Sequence, residues 1–329
     1  MSGPSLARTV AAGVVLGAVV LASGAALAAS ISLSTRQIAL DPNDRTVQHI
    51  GKLQFLGGLA VRSDAPAFGG LSGLCVTADG RLAAVSDRGH WFTVRIVRND
   101  AGRLVGLADA ELGSLKDQKG RPVEDEWRDA EALERLPNGD WLVSFERAHR
   151  VWRYPVETGG LQGRPTPHQA PKAIARAPAN GGIEALTPLA DGRILMLAQG
   201  LKREDGARAG WLVGEGGIEA LGYRTAPRFL PTDAATLPGG DVLVLARHYS
   251  VLGGARARLE RVPAETIKAG ATLRGALVAR FQHPLTVDNF EGVAVVQGED
   301  GSTLVYILSD DNFNFFQRTL LLLFRLRGS

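Results

Sequence analysis

Val287-Asp288-Asn289-Phe290-Glu291-Gly292-Val293-Ala294-Val295 carries acidic and amide side chains straight into a short apolar run. The same device occurs earlier, in Arg128-Asp129-Ala130-Glu131-Ala132-Leu133, Gly182-Ile183-Glu184-Ala185-Leu186 and Thr232-Asp233-Ala234-Ala235. Gly70-Leu71-Ser72-Gly73-Leu74 is an altered first copy. Each opening is followed by a turn dipeptide: Asp79-Gly80, Asn138-Gly139, Asp191-Gly192, Gly239-Gly240 and Asp300-Gly301. Such dipeptides accept positive φ and close tight hairpins between twisted strands. A second apolar strand follows every turn, as in Leu82-Ala83-Ala84-Val85, Val242-Leu243-Val244-Leu245 and Leu304-Val305-Tyr306-Ile307-Leu308.

Taking Ser72, Glu131, Glu184, Asp233 and Glu291 as equivalent, the openings lie 59, 53, 49 and 58 residues apart. That period suits a four-stranded unit, and no amphipathic helix interrupts it. The expectation is an all-β propeller of five four-stranded blades, since radial stacking leaves only short protected edges. Six blades would follow if the amino-terminal region or an insert hides another unit, and a plain β-sandwich is the competing architecture. The last unit has three strands before Ser329, and the apolar run from Val47 to Leu59 is expected to supply its fourth. The ring would then be closed by joining both ends of the chain in one blade.

Residues 1–28 read as a Sec-type signal peptide, with Arg8 ahead of an apolar run from Val10 to Ala22 and Ala26-Leu27-Ala28 as the small-x-small site. An uncleaved anchor is the alternative. No arginine pair and no cysteine after the run support a twin-arginine signal or a lipoprotein. Residues 29–46 form a polar lead-in, and 47–329 a single propeller domain. A periplasmic or secreted location follows, without stable membrane insertion after cleavage. The net charge of +3 is nearly balanced and its basic residues are scattered, which disfavours nucleic acid as a partner. Cys75, the one cysteine, sits in an apolar run and reads as a buried small hydrophobe.

In a propeller the innermost strands line a central channel. Glu131, Glu184, Asp233 and Glu291 are therefore expected at one mouth, with Asp129, Asn289 and Asp310 as further ligands. Crowded carboxylates repel, and a cation makes the crowding tolerable. Oxygen donors favour Ca²⁺, with other divalent cations as alternatives. The second strands end in Ser86-Asp87-Arg88, Glu146-Arg147, Gln199-Gly200, Arg247-His248 and Ser309-Asp310 at the same face. Asp87, Arg88, Arg147 and His248 are the candidate catalytic residues. The arginines would grip an anion and His248 would act as acid or base. No Gly-x-Ser-x-Gly elbow, His-Glu-x-x-His helix or Gly-Lys-Ser/Thr loop is present.

Phe68-Gly-Gly-Leu-Ser-Gly-Leu, Ser86-Asp-Arg-Gly, Asp129-Ala-Glu-Ala-Leu, Gly182-Ile-Glu-Ala-Leu and Asn289-Phe-Glu-Gly-Val-Ala together resemble the bacterial phytase-like family, also called "esterase-like activity of phytase". The likeness runs from about Phe68 to Leu326. It implies an exported propeller that hydrolyses phosphate or carboxylic esters. A small anionic or ester substrate and a monomeric chain are the accompanying expectations. A lactonase-type propeller enzyme and a non-catalytic binding propeller of the cell envelope are the alternatives.

Overall fold

The structure is a computed structural model and describes residues 1, 3, 28–77 and 79–328. The expected signal peptide falls almost wholly outside the described residues. Five sheets, antiparallel except where Thr272–Leu273 pairs parallel with Gly217–Tyr223, are arranged as blades around one axis. Their innermost strands, Leu71–Val76, Ala130–Arg135, Ile183–Pro188, Leu230–Thr236 and Asn289–Gln297, each neighbour the next and close the circle. The fold is thus a five-bladed propeller. Neither a sixth blade nor a sandwich is present among the described residues, where the only helices are short 3₁₀ turns. No helix there is long and apolar enough to cross a membrane.

The core lies between the blades as five apolar clusters, one per interface. Strand alternation explains how one sheet serves two interfaces. Val305 and Ile307 face blade four, while Leu304, Tyr306 and Leu308 face blade one. Alternate residues point to opposite faces, so a strand buried on both sides must be apolar throughout. This accounts for the unbroken run Leu320–Phe324, which is fully buried.

Ring closure follows the expectation, with shifted limits. Leu53–Arg62 pairs antiparallel with Thr319–Leu326 as the fourth strand of blade five. Val47–Lys52 is not part of that strand; His49–Ile50 folds back on it instead. The polar lead-in also carries strands. Ala29–Ser30 extends the outer edge of blade one, and Ser34–Ile38 extends blade five. These additions cover edges that would otherwise expose unpaired backbone groups.

Candidate metal centre at the channel mouth

Every inner strand breaks register with its neighbour near its start. The extra residue is Gly73, Glu131, Glu184, Thr232 or Glu291 in blades one to five. A bulge re-aims the side chain it carries, and here the same irregularity recurs in all five blades at the same end of the channel. In blade one only glycine fits: Gly73 has φ 57°, and a Cβ there would come within 2.4 Å of the Leu133 nitrogen. Three glutamates therefore mark the mouth, rather than four carboxylates.

Asp233 does not join them. It lies one residue beyond the bulge of its strand, opposite Leu245, and a one-residue step turns a side chain the other way. Its two oxygens accept the backbone N–H groups of Ala234 and Val293, both at 2.8 Å, and it also accepts from Leu74. This carboxyl ties together the inner strands of blades four, five and one. Burial pushes its pKa up, and Glu134 is its charged neighbour.

The second-strand ends complete the mouth. Carboxylate oxygens of Asp129, Glu131 and Glu146 all lie within 4.8 Å of one another. Glu146 accepts the backbone N–H groups of Gly181 and Gly182 and is hydrogen-bonded to Glu184. Gln199 donates its amide to Glu184. Across the channel, Arg247 Nε lies 2.8 Å from Glu291 Oε1, and Asn289 donates to the same oxygen at 2.9 Å. Asp310 faces Glu291 and Asp87.

Glu131 differs from the other members. Burial and the charges of Glu184, Glu146, Asp129 and Glu291 all push its pKa upward. No hydrogen bond or ion pair holds its side chain among the described residues. Burial also raises Glu184 and Glu291, although Arg247 opposes the rise in both. Asp310 is pushed up to about 8 by burial and by Glu291, Asp87 and Asp311. Asp87 rises to about 6 through burial and Asp129, and its buried Oδ1 has no hydrogen-bond partner.

Those shifts fix a pH dependence. A carboxyl whose pKa is raised by folding is protonated in the folded chain where the unfolded chain has lost the proton, so stability falls as pH rises towards the folded value. Half-buried His90 and His168, with lowered pKa values, act in the opposite sense below about pH 7. Cation-free protein should therefore melt at a lower temperature at pH 9 than at pH 7. A melting temperature that holds or rises over that interval would contradict the buried-acid account.

The candidate catalytic residues divide. Arg147 Nε binds Asp129 Oδ2 at 2.6 Å, with its side chain half exposed beside the mouth. Arg88 lies over the Phe313 ring, 3.3 Å from its centre. His248 points away from the acids and packs against Phe229, with ring centres 5.7 Å apart. It is not a member of the cluster, because strand alternation sends Arg247 inward and its neighbour outward. Glu146 and Gln199, legible only as polar strand ends, are central members. Deeper in the channel Glu134 is pushed up to about 7 by burial and accepts from Thr187 and the Cys75 thiol. The thiol itself is buried with its pKa raised.

Three oxygens within 4.8 Å of one another can be reached from one point at no more than about 2.8 Å, close to the range of Ca²⁺–oxygen bonds. Every donor is a carboxylate or amide oxygen, the set that suits a hard cation. The residues present fit a divalent metal. A groove of about 1020 Å³ lies on the opposite face of the propeller, between blades five and one and away from these acids.

Among solved structures, the chain is similar to a Dyadobacter fermentans protein of unknown function at 14% identity and TM-score 0.43, covering 92% of this chain and 94% of that one. It is also similar to virginiamycin B lyase from Staphylococcus aureus at 9% identity and TM-score 0.41, covering 90% and 100%. A luciferin-regenerating enzyme matches at 10% identity and TM-score 0.38, covering 79% and 93%. No curated protein matches the chain. Residues 66–313 match the phytase-like family, described as esterase-like activity of phytase, and the chain belongs to that family.

Proposed function

We propose that the channel mouth is the divalent-cation centre of an exported hydrolase acting on phosphate or carboxylic esters, with Ca²⁺ as the first candidate ion. Glu131 carries this reading. A glutamate surrounded by four carboxylates and held by no donor is a poor structural element and a good ligand. Asp129 and Glu146 complete the set around it, and Glu184, Glu291 and Asn289 line the approach. A bound divalent ion would polarise the ester or phosphoryl oxygen and lower the pKa of an attacking water.

The chain's own groups supply the rest. Arg247, fixed against Glu291, sets a guanidinium in the mouth, and Arg147 and Arg88 stand at its rim to orient an anion. Asp310, which faces Glu291 and Asp87 and whose pKa burial raises, is the candidate to hand a proton to a leaving oxygen. Export rests on the amino-terminal segment, cleaved after Ala28, and the enzyme is taken to act as a monomer on a small substrate. Metal analysis of purified protein, with assays on a phosphomonoester, an aryl ester and a lactone, tests the reading. Bound metal with turnover of either ester class supports it. Turnover of the lactone alone moves the protein to the lactonase class, and bound metal with no turnover leaves a binding propeller.

A further inference from the structure

Apart from Met1, the five most exposed large hydrophobic residues among those described stand on two loops. They are Tyr249 (64%), Val251 (89%) and Leu252 (103%) in blade four, and Phe315 (94%) and Phe316 (88%) in blade five. The blades are neighbours, and both loops join a second strand to a third. They therefore rise from the face that carries the acidic mouth, beyond Arg247 and Asp310 respectively. An apolar group left in water forgoes the free energy of burial. Clustering on adjacent tips, with the remaining exposed apolar side chains scattered, indicates a surface that is covered when the protein works.

The blade-four loop is a projecting ribbon. Its pairing continues from His248–Arg256 through Tyr249–Ala255 to Ser250–Gly254, three steps beyond Leu230–Arg247, where the inner strand begins. Three residue steps carry the tip about 10 Å out, comparable with the depth at which interfacial segments seat in a bilayer. Cations stand beside it. The Arg256 guanidinium folds against Gly253 at the tip, and Arg228 is exposed on the same face. Neither has an acidic partner among the described residues. Apolar tips with a tyrosine and unpaired arginines match the interface of an anionic bilayer, where the rings and aliphatic groups enter and the cations meet headgroups.

We propose that the tips of blades four and five dock the propeller onto an anionic lipid surface. The inference is independent of the chemistry at the mouth. Co-sedimentation of the mature chain, in chelator, with phosphatidylcholine vesicles with and without phosphatidylglycerol tests it. Binding to the phosphatidylglycerol vesicles should weaken with salt. It should fall roughly tenfold or more in both Leu252→Asp and Phe315→Asp. Arg256→Glu should reduce the preference for the anionic vesicles. All three side chains are exposed, so the variants should keep the wild-type melting temperature. Failure to bind either vesicle overturns the proposal, as does binding that Leu252→Asp leaves unchanged. A concentration-dependent dimer that Leu252→Asp dissociates, without vesicle binding, would assign the tips to a second copy of the chain and likewise overturn it.

Discussion

Glu131→Gln should cut metal affinity and ester hydrolysis by about two orders of magnitude or more, while making the cation-free protein more stable. The two effects share one cause. In the folded chain the strongest charge effects on the Glu131 carboxylate are repulsive, from Glu184, Glu146, Asp129 and Glu291, and they outweigh the attraction of Arg247 and Arg147. Removing its charge relieves that repulsion and leaves volume and shape almost unchanged. With a divalent ion bound, the same charge is attractive, so its loss weakens the complex. For the wild type, a hundredfold excess of metal over Kd should add about 2.7 kcal/mol of stability. The variant should lose most of that increment and melt higher than wild type in chelator. Metal titration followed by melting temperature reads both signs in one experiment. An unchanged metal-induced shift in Glu131→Gln would remove Glu131 from the centre and the proposed function with it.

Much of this fold is legible in the chain because its signals are local. A turn glycine after each short strand and an apolar run after each glycine are set by tight-hairpin geometry. The closing strand is legible for a different reason: Leu320–Phe324 is apolar on both faces and needs a partner along its outer edge, and the early apolar run at Leu53–Val61 matches it. The site is less legible because bulges are not written in composition. Treating Asp233 as the counterpart of Glu131 requires the bulge of its strand to fall at Asp233, and it falls one residue earlier, at Thr232. A readable sign exists: Asp233 stands one residue nearer its turn glycine, Gly240, than Glu131 and Glu184 stand to Gly139 and Gly192. Glu146 and Gln199 were visible as polar strand ends. Only the antiparallel pairing places them level with the glutamates, since it sets the end of the second strand against the start of the first. His248 shows the converse, because its neighbourhood was right and its strand parity wrong.

Asp233→Leu should be the most destabilising of the acidic-residue substitutions and should spare the metal centre. The carboxyl is 1% exposed, and its oxygens take backbone N–H groups from three inner strands. Leucine has the same branched shape, is larger and accepts nothing, so three donors lose their partner deep in the protein. Each buried unsatisfied donor costs about 1–3 kcal/mol. Relief of the carboxyl's own burial penalty offsets part of this, leaving a net loss of about 3–5 kcal/mol. Against a typical total of 5–15 kcal/mol, that should lower the denaturant midpoint sharply. Asp233→Asn keeps one acceptor oxygen but turns an amide N–H towards another donor, so it should fall between the two. Below its melting temperature, either variant should bind metal with wild-type affinity, because Asp233 faces the backbone of Val293 and Leu74 rather than the glutamates at the mouth. Wild-type stability with lost metal binding in Asp233→Leu would restore Asp233 to the acidic ring and show that the bulge in blade four does not turn its side chain away.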